Sequence, residues 1–303
     1  MSMLLKPVIA ATMALALGLS FARGQTPAKE GQRMVAAGGV ITEIAYALGR
    51  ADRLVGVDST SLHPAEALKS KPNIGYVRAL SAEGVLSLKP NRVIAVEGAG
   101  PPDVLRLIGE AKVPVTIIPE DPTEEGVLRR IRLVGEALEA PDAASQLVEV
   151  VRAAFTSLAR DRATRLHKPR VLFVLSLQNG RAMVAGRNSS ADAMIRLAGG
   201  KNAGIAVEGF KPLSDEGILA AAPDIILMMK RGDHAVPPAE LFAHPAFRLV
   251  PAARKEALIA MDGLYLLGFG PRTPEAAREL MREMDRFATR AERRAGVLAP
   301  ASP

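Results

Sequence analysis

The sequence predicts an α/β protein of two lobes, each with a largely parallel sheet, joined by one long rigid helix. Three observations carry this. Short β-rich runs alternate with helical patterns along the chain. The amphipathic stretch from Pro141 to Ala163 has no internal glycine and no second proline. A block of the first half also returns in the second.

In chain order, "MSMLLKPVIAATMALALGLSFARG" comes first, with one early Lys6, an apolar run from Pro7 to Leu19, and small residues at Ala22 and Gly24. This is the layout of a secretory signal peptide, and the run is short for a membrane span. Residues 1–24 are therefore set aside from the fold; a membrane anchor or a buried helix is the other reading. "RMVAAG", "RLVGVD", "RVIAVE" and "VTIIPE" are the strands expected of a first lobe over 25–140. Between them "ITEIAYALG" places Ile41, Ile44, Ala45 and Leu48 on one helical face.

The linker is assigned to 141–167. Leu147, Val151, Ala154, Phe155 and Leu158 recur every three or four residues, and Pro141 suits a first helical turn. A helix is stiffer than a Gly/Ser linker, so lobe movement should be small. "RVLFVLS", "DIILMM" and "ALIAMD" then supply strands for a second lobe over 168–303. Both lobes read as Rossmann-like, with a ligand cleft between them at the strand ends.

"LSAEGVLSLKPNRVIAV" at 80–96 matches "LSDEGILAAAPDIILMM" at 213–229, an offset of 133 residues. A looser pair, "AYALGRADRLVGVD" at 45–58 and "IRLAGGKNAGIAVE" at 195–208, has an offset of 150. The 17 extra residues of the first lobe fall within 59–79, a loop that holds His63. An addition to one of two similar lobes points to a purpose for that loop.

Composition removes several classes. The chain has no cysteine, which excludes disulfides, thiolate chemistry and a cysteine-linked lipid anchor. A mature chain near 280 residues exceeds one comfortable core and suggests domains of roughly 110–140 residues. The net charge of +7 is spread among 32 acids, and aromatics are only 4%. That is not a nucleic-acid groove, which needs stacking platforms. It suits an anionic ligand or a nearby anionic membrane surface.

His63 precedes Pro64, which should start the helix "PAEALK" and leave His63 at its cap, a place where Ser, Thr, Asp or Asn serves better. The residue is then either an ordinary surface histidine or a metal ligand with a free ring nitrogen. Arg231 follows the strand "DIILMM" and points to the crevice, or is a solvated loop charge. Lys230 and His234 have weaker claims, and His167 and His244 weaker still. Glu83 and Glu216 are the repeat-related acids of the two "LS-x-E-G" blocks, and a first-turn acid is itself favoured by the helix dipole. "GFGPRTPEAA" lacks the Walker spacing and reads as a turn with Thr273 as N-cap; the chain holds no G-x-S-x-G, H-E-x-x-H or G-x-G-x-x-G.

Five ordered blocks between Arg33 and Arg294 carry a resemblance: "GVDSTS" with "PAEA", "IGYVRALSAEGVLSLKP", "MVAGRNSSADAMIRLAGGKNA", "MMKRG" and "DGLYLLGFGPRTPEAA". On these the chain resembles the periplasmic haem-binding proteins of bacterial haem-uptake ABC transporters, substrate-binding proteins with a helical interdomain linker. The resemblance implies a non-catalytic, exported periplasmic protein that binds haem b as transported ligand. It implies a permease dimer in the inner membrane as partner and an outer-membrane haem uptake system upstream. In that family a tyrosine just before "PA" ligates the iron; here His63 stands at that place. Tyrosinate favours ferric iron, whereas neutral imidazole tolerates both oxidation states but competes with protons near pH 6.5. Arg231 would approach the haem from the second lobe. Tyr76 and Arg78 of "IGYVR" are further candidate contacts, Tyr76 as an alternative ligand or as a packing residue. Glu83 and Glu216 would dock on the permease. A ferric siderophore or a corrinoid is the alternative cargo, and a secreted α/β enzyme a more distant one. A bare zinc or manganese receptor would need three or four convergent ligands.

Overall fold

The computed structural model describes residues 32–178, 181–230 and 238–287. The signal peptide assigned to 1–24 lies outside the described residues.

The first lobe opens with β1 (Met34–Ala37), whose four residues are all buried, and α1 (Gly39–Ala47). The sheet continues with β2 (Leu54–Val57), after which the long loop contains only the short α2 (Ala67–Ser70). Then come α3 (Ala82–Ser87), β3 (Arg92–Val96), α4 (Pro102–Glu110), β4 (Val115–Ile118) and α5 (Glu124–Ala137). The four strands pair in the order β2-β1-β3-β4, all parallel. Side-chain alternation sorts the core. Val35, Ala37, Val93 and Ala95 face α3 and α4 with Val85 and Ile108. Met34, Ala36 and Ile94 face Ile41, Ile44, Val127 and Ile131 of α1 and α5.

The linker region holds α6 (Pro141–Ala163), which follows the amphipathic stretch and ends four residues short of the assigned 141–167. Its buried stripe is Ala144, Val148, Val151, Phe155 and Leu158. These residues belong to one apolar cluster that continues from the first lobe into the second.

The second lobe holds β5 (Arg170–Gln178), β6 (Arg181–Ala185), α7 (Ser190–Leu197), β7 (Lys201–Asn202), β8 (Phe210–Leu213) and α8 (Asp215–Ala221). It ends with β9 (Ile225–Lys230), α9 (Pro238–Ala243), β10 (Leu258–Asp262), α10 (Gly263–Leu267) and α11 (Thr273–Arg286). The sheet order is β10-β9-β5-β6-β8, with β7 beside β5. β10, β9, β5 and β7 are parallel neighbours, while β6 pairs antiparallel with β5 and β8. The β6–β8 edge was not predicted. β8 is largely exposed and carries no apolar run, and β6 offers only the four-residue run 182–185, too short to tell from helix by periodicity.

The repeat holds at atomic level. Ser81 Oγ accepts from Gly84 N at 3.2 Å at the start of α3, and Ser214 Oγ accepts from Gly217 N at 3.2 Å at the start of α8. The looser pair returns in helix ends: Gly49 N donates to Tyr46 O and Gly199 N to Arg196 O, each at 3.0 Å. Both glycines have positive φ, the left-handed conformation that closes a helix.

Two local readings are corrected. The helix after Pro64 begins only at Ala67, with Glu66 as its N-cap, so His63 is not at a cap. A turn closed by Ala67 N and Pro64 O at 2.9 Å takes up the intervening residues. α11 is flanked by Arg272, not capped by Thr273, whose hydroxyl turns back to Gly270 O at 2.8 Å.

Candidate functional site

The carboxyl ends of the parallel strands are where ligands bind in open α/β sheets. At the end of β2, Asp58 is fully buried and its carboxylate organises the loop that follows. It accepts from Gly38 N at 2.8 Å, Thr60 N at 2.9 Å, Thr60 Oγ1 at 2.6 Å and Ser61 Oγ at 3.2 Å. Thr60 Oγ1 also accepts from Gly39 N at 2.9 Å, and Ser61 Oγ meets Thr42 Oγ1 at 2.8 Å. A side chain at Gly39 would strike the Thr60 carbonyl, so the loop can lie this close to α1 only over glycine. Further on, Ile74 N donates to Val57 O at 2.9 Å and Ser59 N to Gly75 O at 2.8 Å. The inserted loop is thus fastened at both ends, with His63 between.

His63 is half-buried, and among the described residues its imidazole has no hydrogen-bond partner. It lines a gap of about 320 Å³ with Glu43, Tyr46 and Glu66 of the first lobe and Pro271 and Arg272 of the second. A second gap, of about 140 Å³, lies against α10. Its apolar walls are Val40, Val77 and Val96 from one lobe and Leu264 and Leu267 from the other, and Arg78 borders it. His63 and Arg78 therefore line separate spaces between the lobes, which share no lining residue and meet α1 at different positions, Gly39 and Val40 for one and Glu43, Tyr46 and Ala47 for the other. Tyr76 is 51% exposed, which corrects the packing role expected for it.

Charged contacts cross between the lobes beside these gaps. Arg272 Nη2 donates to Glu43 Oε2 at 2.8 Å and its guanidinium lies 4.9 Å from the Tyr265 ring centre. Burial works to lower the Arg272 pKa, but the hydrogen bond and charge of Glu43 outweigh it and raise it overall. Burial, then the charges of Glu275 and Glu279, push the Tyr265 phenol well above its ordinary value, keeping it neutral. Arg130 of α5 is 4% exposed and donates to Gly268 O at 2.8 Å, Phe269 O at 3.0 Å and Pro119 O at 3.0 Å. Burial lowers its pKa, and the nearby Glu120 and Asp121 oppose that.

Arg231 and His234 lie outside the described residues. Lys230, the last residue of β9, is aligned with Asp262, whose carboxylate caps α10 through Tyr265 N at 2.8 Å. Glu83 and Glu216 are both exposed, in the first turns of α3 and α8, with no ion pair among the described residues. A bond to its own backbone N–H, then one from Ser214, lowers the Glu216 pKa. His244 packs edge-on against Phe247 and accepts from Ala246 N at 3.3 Å, a local structural role.

Sequence reasoning missed Asp58, Arg130 and the Glu43–Arg272 pair. "DSTS" is a readable signal for the first, since Asp followed by Thr and Ser favours a side-chain-closed turn. Nothing local marks the other two.

The family model described as "Periplasmic binding protein" matches residues 34–265. The chain belongs to the periplasmic binding protein family. This periplasmic binding protein is 40% identical to the periplasmic heme-binding protein RhuT of Roseiflexus sp. RS-1 in its apo form, with a TM-score of 0.81 over 85% of this chain and 99% of that one. It is 41% identical to the periplasmic heme-binding protein BhuT in complex with two hemes, with a TM-score of 0.80 over 84% and 99%. By sequence it is 27% identical over 203 residues to an uncharacterized ABC transporter substrate-binding lipoprotein of Bacillus subtilis, covering 66% of this chain and 64% of that relative's length. It is 25% identical over 252 residues to the vitamin B12-binding protein of Photorhabdus laumondii, covering 80% of this chain and 84% of the relative.

Proposed function

We propose that this periplasmic binding protein captures haem between its lobes and delivers it to an inner-membrane ABC permease, without chemistry on the ligand. The lobes of this reading are 25–140 and 168–303, with 141–167 as the linker and 1–24 as a cleaved export signal. The observation that carries it is the His63 imidazole. It has no hydrogen-bond partner among the described residues and borders a gap whose far side is the second lobe. An imidazole nitrogen left free in this way is available to ligate iron, which supports His63 as the iron ligand.

The valines and leucines beside α10 supply apolar wall for a porphyrin. Arg78 and Arg231 supply cations for its propionates, and Tyr76, half-exposed on the same loop, flanks the ligand. Glu83 and Glu216 present one carboxylate per lobe to a permease dimer, which suits a partner with two similar half-sites. An outer-membrane haem uptake system supplies the haem. The likeness to RhuT and BhuT supports this choice of cargo over others.

Hemin titrated into the purified protein gives a Soret shift of histidine type, which His63→Ala removes. No shift with the wild-type protein overturns the reading. The vitamin B12-binding relative favours a corrinoid as the second reading. Cobalamin that binds in place of hemin, or displaces it, decides for that cargo.

A further inference from the structure

β5 runs parallel to β9, whose carboxyl end lies level with Asp262 and the start of α10 beside the cleft. The amino end of β5 is therefore on the far side of the second lobe. There, the end of α6 and the end of α7 enclose a concavity of about 880 Å³. Six cationic side chains line it: Arg162, Arg165, Lys168, Arg187, Arg196 and Lys201.

Its single lining acid is Asp192, which is already engaged by Asn202 Nδ2 at 3.1 Å and Arg196 at 3.3 Å. Arg165 is held by Met281 O at 3.0 Å and Asp285 at 2.6 Å. The other four, Arg162, Lys168, Arg187 and Lys201, have no hydrogen bond or ion pair from their side chains among the described residues. Like charges gathered around one concavity repel each other, and the concave wall concentrates their field. An anion seated there would relieve that repulsion. Gly199 and Gly200 do not offer amides to it, because their N–H groups bond Arg196 O and Ile195 O. The unpartnered cationic side chains are then the groups available for recognition, and guanidinium forks and ammonium points suit phosphate oxygens. The volume is that of a small-molecule site, which spans roughly 300–1,000 Å³.

We infer that this concavity binds a phosphate-bearing polyanion, either free or as the headgroup of an anionic lipid. It lies away from the cleft, so it is compatible with cargo in place and independent of which cargo that is.

Calorimetry with inorganic pyrophosphate tests the site. One-site binding that weakens with added salt is expected, about tenfold weaker or more in Arg187→Gln/Lys201→Gln. Arg187→Lys should retain most of it, and Arg132→Gln/Lys112→Gln, both in the first lobe and outside the lining, should bind as wild type. All of these side chains are exposed, and an unchanged hemin titration reports an intact fold. Binding to phosphatidylglycerol vesicles but not to phosphatidylcholine vesicles or pyrophosphate, lost in the same double variant, assigns the phosphate to a lipid headgroup. Binding to neither probe, or equal loss in the control variant, overturns the inference.

Discussion

Arg272 of the second lobe and Glu43 of the first form a 2.8 Å ion pair at the edge of the gap that His63 lines. The carboxylate is 6% exposed and the guanidinium 26%, so water screens the pair only in part. With Arg130 on the Gly268 and Phe269 carbonyls, it fastens the two lobes at a place separate from α6. A stiff helix and a second fastening together oppose large opening of the cleft.

Removing one partner of a mostly buried pair leaves the other charge without compensation. Glu43→Gln should destabilise the protein by about 2 kcal/mol, less than for a fully buried pair because Arg272 keeps some solvent. Urea denaturation of Glu43→Gln, Arg272→Gln and the double variant measures this. Additive losses would show that the pair is not coupled.

His63→Ala should weaken hemin binding by at least the roughly 10–100-fold that loss of a supporting contact costs a metal site. His63→Tyr should recover binding with a tyrosinate-type spectrum, since the loop places either ring at the same gap. Soret titrations of the three proteins compare them directly. Wild-type affinity and spectrum in His63→Ala would falsify the ligand assignment.

Asp58 acts on the same loop from beneath. Asp58→Ala strands the buried Gly38 N–H and the Thr60 N–H, at about 1–3 kcal/mol for each unsatisfied donor. A loss of about 3 kcal/mol in stability is expected, with weaker hemin binding in whatever remains folded. Asp58→Asn, which keeps an acceptor oxygen, should lose less of both. Thermal melts alongside hemin titration separate the two effects.

Glu83→Gln/Glu216→Gln should leave hemin binding intact and reduce transfer to a permease reconstituted in vesicles. The sign of the pH effect follows from the lowered Glu216 pKa. A carboxylate depressed in the folded state contributes stability that is full above its unfolded pKa and is lost as pH falls through the folded one. Glu216 should therefore stay charged below the ordinary glutamate value of about 4.3. Carboxyl chemical shifts read against pH check this, and titration at or above that value contradicts it.

The helix caps of the repeat give a paired test. Ser81→Ala and Ser214→Ala each remove one bond of 3.2 Å at equivalent places, and each should cost about 1 kcal/mol. Clearly unequal losses in denaturant melts would mean that the two lobes do not load their caps alike.

Much of the fold was legible because the signals are local. Seven strands were placed from runs of Val, Ile, Leu and Met, and α6 from the absence of breakers between Pro141 and Ala163. β8 was not, because a short, exposed edge strand needs only its neighbour's backbone; nor was β6, whose four-residue run 182–185 is too short and too rich in alanine to tell from helix. Among site residues, His63 stood out by its departure from the family tyrosine, and Glu83 and Glu216 by the repeat. For Tyr76 only the packing alternative fails, since "IGYVR" looks like a packed turn whereas the residue is half-exposed.

The sequence by itself determined the α/β alternation, the linker helix and the duplicated "LS-x-E-G" caps, all of which depend on residues within a few positions of each other. Only the tertiary structure decided what stands beside His63. Glu43 and Arg272 are 229 residues apart, and Arg130 reaches Gly268 across 138. No local pattern records such contacts, because they form only after two separately patterned lobes pack against one helix. The same holds for the far side of the second lobe, where cations scattered from Arg162 to Lys201 become one charged concavity.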